Sequence, residues 1–160
     1  MGQKVNPVGL RIGISRDWNS RWYANNKDFA TFLDEDIKIR KFLEKKLKAC
    51  LVSHIEIERI KGKIKVSIFT AAPGMVLGQE AKNIKELKKE VSKLIKGKEV
   101  NLSVVEVKAP NLDATIVAQK MAKNLEERAS FRSVQKMAIR DVLKAGAVGC
   151  KTMVSGRLGG

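Results

Sequence analysis

Residues 52–108 read VSHIEIERIKGKIKVSIFTAAPGMVLGQEAKNIKELKKEVSKLIKGKEVNLSVVEVK, and this stretch decides the fold. Val52–Ile60 and Lys63–Ala71 are rich in Ile and Val and meet at a short turn, Lys61–Gly62, which predicts two adjacent strands. In the second, Ile64, Val66 and Ile68 fall on one face, with Lys63, Lys65 and Ser67 on the other. Pro73–Gly74 opens a short helical turn through Met75, Val76 and Leu77, which Gly78 interrupts. From Ala81 to about Lys96 the apolar period lengthens to that of a helix. Ile84, Leu87, Val91, Leu94 and Ile95 face inward, and Gly97 is the stop. Its outer positions include Lys82, Lys85, Lys88, Lys89 and Lys93. Glu99–Lys108 then returns to a strand pattern.

Upstream, Asp28 can cap a helix carrying Phe29, Phe32, Leu33, Ile39, Phe42, Leu43 and Leu47 at mostly three- and four-residue steps. Asp34, Glu35 and Asp36 come early and Lys45, Lys46 and Lys48 late, an order that complements the helix dipole. The elements run helix, strand, strand, helix, helix, strand. A three-stranded sheet covered on one face by helices buries every apolar stripe, so residues 28–109 are expected to form an α+β domain.

Residues 1–27 have little apolar pattern and are broken by Gly2, Pro7, Gly9 and Gly13. Lys4, Arg11, Arg16, Arg21 and Lys27 face one acid, Asp17. This predicts a docking arm. Trp18, Trp22 and Tyr23 either fasten its base to the domain or are all core. Residues 110–160 form a third part, with Asn111 capping a helix through Leu112, Ile116, Met121 and Leu125. Ser130 caps another, through Phe131, Val134, Ala138 and Val142, closed by Gly146, and Val148–Ser155 reads as a strand. Two helices and one strand bury too little surface to stand comfortably alone, so the lobe leans on its neighbour or is incomplete.

The chain of 160 residues has 32 Lys plus Arg against 17 Asp plus Glu, net +15. Both parts share the excess: residues 1–110 are net +10 and residues 111–160 net +5. Self-repulsion of this size opposes folding, and a polyanionic partner explains it. Two cysteines, Cys50 and Cys150, make neither a disulfide scaffold nor a metal motif. No apolar run spans a bilayer, and MGQKVN resembles neither a secretion signal nor a myristoylation site, so no membrane partner is expected.

Catalysis has little support. His54 is the one histidine and sits in a strand pattern, where a structural or solvent-facing role outweighs that of a general base. No phosphate loop of the G-x-x-x-x-G-K-[ST] type, no H-E-x-x-H and no C-x-x-C occurs, and neither metal, cofactor nor small-molecule substrate is expected. Cys50 closes an apolar helix stripe and reads as a buried thiol. The terminal RLGG matches a ubiquitin-type tail without the β-grasp pattern that should precede it.

The glycine turn at Gly78, Gln79, Glu80 and Ala81 lies between paired helices, where backbone N–H groups can face phosphates. Its place and the element order resemble the prokaryotic, type II KH fold, whose GXXG loop clamps about four nucleotides. GQKVNPVGLRIG and WNSRWYA resemble the amino-terminal arm of the bacterial and organellar small-subunit ribosomal protein family S-three. The likeness continues through IEIER, TAAPGMVLG, PNLDATIVA, LEERASFR and VSGRLGG. It implies a non-enzymatic constituent of the small-subunit head, in cytoplasmic or organellar ribosomes. Its partners there would be small-subunit rRNA, mRNA, ribosomal proteins ten and fourteen, and proteins four and five where mRNA enters. Lys4, Arg11, Arg16, Arg21 and Arg157 are then expected on rRNA, with Lys82, Lys85, Lys88 and Lys89 as the basic face of the KH helix. A free-standing KH-type RNA chaperone is the alternative.

Two departures from the family pattern stand out. The family loop usually reads Gly, Lys, Lys, Gly; Gln79 and Glu80 exchange two cations for an amide and a carboxylate, and Ala81 lacks glycine's freedom. Of three basic residues that in the family help unwind mRNA, Arg132 and Lys136 match and Ser133 does not. Arg140 continues that stripe, and Arg128 precedes the Ser130 cap. The family also runs on beyond VSGRLGG with strands that complete the second sheet, so the Val148–Ser155 strand is expected to have an uncovered edge.

Overall fold

The computed structural model describes residues 2–60, 62–78, 81–95 and 98–158. Helix α1 spans Asn26–Lys46. Strands β2 (Val52–Ile60) and β3 (Lys63–Thr70) pair antiparallel, with Ile57 opposite Val66 and an irregularity between Val52 and His54. Helices α2 (Pro73–Leu77) and α3 (Lys82–Leu94) lead to β4 (Val100–Glu106), which pairs parallel to β3. The α+β reading is right, but the sheet has four strands rather than three. Ser20–Arg21 forms β1, parallel to β2, with Ser20 opposite Ile57. Two residues carry no alternation to read, and what holds them is side-chain chemistry described below.

One face of the sheet makes the core. Ile55, Ile57, Ile64, Val66, Ile68 and Val100 pack beneath Ile39, Leu43 and Leu47 of α1 and its end and beneath Leu87 and Val91 of α3. Cys50 closes this cluster, as its stripe position implied. The other face is open and polar: Ser67 and Ser103 meet at 3.0 Å, and His54 stacks on Phe69.

The amino-terminal half of α1 departs from the expected apolar stripe. Phe29 and Leu33 are exposed, whereas Glu35 and Asp36 are buried. The helix also begins before Asp28: Asn25 is extended, and its carbonyl accepts from the N–H groups of Asp28 and Phe29. Asp28 sits in the first turn, where its charge suits the dipole.

Beyond a turn at Pro110–Leu112, α4 (Ala114–Glu126) and α5 (Phe131–Lys144) form an antiparallel pair. The cap of α4 is Asp113 rather than Asn111; its Oδ1 accepts from Thr115 N–H at 2.8 Å and from Ile116 N–H at 3.3 Å. Asn111 instead accepts from Lys120 Nζ at 3.0 Å. Among the described residues, buried aliphatics here come down to Ile116, Val134 and Val142, a thin core that leans on β2 through α4. The strand expected at Val148–Ser155 is not formed. An extended segment becomes a strand only by ladder pairing, and no described residues offer it a partner strand. Val148 and Met153 stand in solvent.

Candidate nucleic-acid interface

The arm is seated by one carboxylate. Asp36 Oδ2 accepts from Trp22 Nε1–H at 2.8 Å and from Ser20 Oγ at 3.1 Å. Arg40 donates to Asn19 O and Ser20 Oγ, both at 2.8 Å. The Trp22 ring lies 5.5 Å from Phe29 and 5.8 Å from Phe32. Beneath it, Arg59 donates to Glu35 at 2.7 Å and to Asp36, with its guanidinium 4.6 Å from the Phe32 ring centre. Lys98 completes the cluster on Glu35 at 2.6 Å. Burial alone would raise the Glu35 carboxyl; the hydrogen bonds from Lys98 and Arg59 overcome it and hold the group below the usual range. Of the three arm aromatics, therefore, Trp22 is the fastener, and neither Trp18 nor Tyr23 is core.

This seating sorts the arm's cations. Arg21, expected on rRNA, lies 2.8 Å from each of Asp17, Glu56 and Glu58, so its charge is more than matched inside the chain. Arg11 donates to Pro7 O at 2.7 Å, a contact that leaves its charge unneutralised. Lys4 has no side-chain partner among the described residues, and Arg16 is felt electrostatically by His54 and Asp113 without a hydrogen bond to either. Arg157 is exposed in the carboxy-terminal segment.

In the glycine turn, Gly78 has φ +68°, and a Cβ there would meet the Asn83 side chain at 2.5 Å. Ala81 is held left-handed at φ 56°, the conformation for which glycine is the ordinary choice. Gln79 and Glu80 lie outside the described residues. On α3, Lys82, Lys85, Lys88 and Lys89 are exposed, and Lys88 donates to Asn101 Oδ1 at 3.2 Å.

Helix α5 carries the most regular basic surface. Arg132, Lys136 and Arg140 are exposed at four-residue steps, and Lys144, which sequence reasoning missed, adds a third step. Lys136, Arg140 and Lys144 border a shallow groove floored by Ile139 and Leu143. Among the described residues, the one acid paired with the stripe is Asp141, 3.7 Å from Arg140. Arg128 is brought to the head of α5 by a left-handed turn at φ 62°.

His54 belongs to the junction between the lobes. It stacks on Phe69 at 4.2 Å and 9°, and its Nδ1 lies 2.8 Å from Ser53 Oγ, whose hydroxyl donates to Asp113. The serine sits between histidine and aspartate, so its proton points at the carboxylate and no base withdraws it; the arrangement is structural, unlike a Ser–His–Asp triad. Burial pushes the His54 imidazole down, against the opposing pull of Glu56. Asp113 stays below the ordinary carboxyl range because hydrogen bonds from Ser53 and the α4 backbone outweigh burial. No group of three or more His, Cys, Asp or Glu among the described residues could hold a metal, and no described helix is long and apolar enough to cross a membrane.

Comparison with known proteins places these surfaces in context. Residues 38–112 match the family profile described as KH domain, and residues 121–160 match that of ribosomal protein S3, C-terminal domain. Proteins called small ribosomal subunit protein uS3 from Staphylococcus aureus strains Mu3, Mu50 and N315 are each 53% identical over 160 residues. That alignment takes in 100% of this chain and 73% of each relative.

Proposed function

The chain belongs to the uS3 family of small ribosomal subunit proteins, and from that premise we propose that it is a non-enzymatic, RNA-binding constituent of the small-subunit head. Residues 1–27 act as a docking arm, 28–109 as the KH domain and 110–160 as the second lobe. Lys4, Arg11, Arg16, Arg157 and the lysines of α3 neutralise rRNA phosphates, while Arg21 serves to hold the arm. Arg128, Arg132, Lys136 and Arg140 line the path by which mRNA enters, beside ribosomal proteins four and five. Proteins ten and fourteen contact the chain within the head.

The observation that supports this best is the α5 stripe. Its cations are exposed at a spacing that lets them straddle successive phosphates, and among the described residues one acid, Asp141 beside Arg140, pairs with them. Long-range attraction of this kind is insensitive to base sequence. Sedimentation at moderate salt tests the assignment: the chain should travel with small subunits in near-equal molar amount. Finding it spread through the light fractions would favour a free KH-type RNA chaperone. Combining Arg132→Ala with Lys136→Ala should slow passage through an mRNA hairpin, and unchanged passage removes the unwinding role.

A further inference from the structure

Trp18 is 61% exposed and Tyr23 88% exposed, although Trp22 between them is packed away. The fold had an aromatic pocket to offer, made of Phe29, Phe32 and the Arg59 guanidinium, and placed one of three rings in it. The other two are held outward by backbone that is itself pinned. Ser20–Arg21 is paired to β2, Ile57 N–H donates to Asn19 O at 2.9 Å, and Trp18 N–H donates to Asp17 Oδ1 at 2.8 Å. Rings on residues that flank a pinned strand lose less freedom when a partner arrives than rings on a loose tail would.

Charge selects that partner. Along the same arm the sequence carries Lys4, Arg11, Arg16 and Lys27, while its one acid, Asp17, is paired with Arg21. Exposed aromatics interleaved with unneutralised cations suit a strand that presents flat π faces and phosphates together. Resting on the ribosomal reading above, we propose that Trp18 and Tyr23 are base-stacking residues for unpaired nucleotides of RNA, with the neighbouring cations taking the phosphates. Stacking of this kind tolerates any base, because every base has a π face.

The test uses the full chain with two probes: a twelve-nucleotide oligoadenylate and inorganic polyphosphate of matched charge. Trp18→Leu and Tyr23→Leu should each weaken oligoadenylate binding at least about fivefold, leave polyphosphate binding unchanged and leave the salt slope unchanged, since no phosphate contact is removed. Trp18→Phe and Tyr23→Phe should restore binding to within about twofold, because a stacking surface is retained. Leu variants that bind oligoadenylate like the parent overturn the proposal, and so does an equal loss on both probes or a failure of the Phe variants to rescue. Leu variants that keep oligoadenylate affinity yet lose their place in the small subunit would assign the rings to a protein neighbour instead. If the parent chain binds no RNA and never sediments with small subunits, the ribosomal reading falls as well; if it does both and the Leu variants are silent, only the stacking role falls.

Discussion

The Arg59 guanidinium is 2.7 Å from Glu35 with its side chain only 8% exposed, so a complete ion pair lies beneath the base of the arm. It arises from the ordinary alternation of β2. Ile55 and Ile57 point to the core, and Arg59 is the next residue of the same parity.

Removing that cation alone should be severe. Arg59→Met leaves Glu35 and Asp36 buried with too little positive charge, and the cost expected is about 3–5 kcal/mol, read as a fall in the urea midpoint. Adding Glu35→Gln and Asp36→Asn to Arg59→Met should recover part of the loss, because the orphaned charges go with it. Equal stability of the single and triple variants would contradict this account.

The glycine turn should respond in opposite senses at its two described ends. Gly78→Ala meets both a backbone region reserved for glycine and the Asn83 side chain, and should cost about 1–3 kcal/mol. Ala81→Gly relieves a left-handed residue and should stabilise by about 1 kcal/mol. Thermal unfolding of the two variants checks the signs.

Restoring the family's loop cations should change RNA binding where Ala81→Gly alone does not. Gln79→Lys and Glu80→Lys together with Ala81→Gly should steepen the log–log salt dependence by about 0.7 per added contact on single-stranded RNA. A slope equal to the parent's would mean the loop does not approach phosphate.

His54 makes the lobe junction sensitive to acid. Its folded pKa lies below the ordinary value, chiefly through burial, so the neutral ring is the form that folding prefers. The associated stability is complete above about pH 6.5 and is lost as pH falls through the unfolded value toward the lower, folded one. His54→Phe keeps an aromatic partner for Phe69 and should flatten this part of the stability profile. NMR titration of the imidazole gives the direct comparison, and a midpoint at or above that of an unfolded peptide would contradict the burial argument.

Proteolysis should expose the unequal packing of the two lobes. Trypsin is expected to cut at Lys151 and Arg157 before any site in the sheet, because both are exposed and residues 147–158 have no ladder pairing. Equal resistance throughout would show the segment to be covered.

Much of the architecture was legible. Strict alternation at Ile64, Val66 and Ile68 gave β3, and the helical recurrence of Leu87, Val91 and Ile95 gave α3 and its buried side. Charge misled where it went inward: Glu35 and Asp36 look like helix-dipole partners until Arg59 is placed opposite them. The readable clue was a cation at an inward strand position. Strand β1 had no such clue, since its two residues are held by Asp36, Arg40 and a neighbouring backbone rather than by their own pattern. The α4 cap fell to Asp113 because the turn at Pro110–Leu112 occupies Asn111. Of the basic surfaces, the family resemblance singled out Arg132 and Lys136 and their four-residue spacing extended the stripe to Arg140, whereas Arg21 could be recognised as internally matched only once β1 was seen beside Glu56 and Glu58.

The parallel seating of Ser20–Arg21 on β2 also sets an order of events during synthesis. The arm is made before the residues that lodge it: Asp36, then Arg59, and finally Lys98 to balance Glu35. Until those arrive it is a loose cationic tail. A segment made early is thus seated late, once the chain has been extended as far as Lys98.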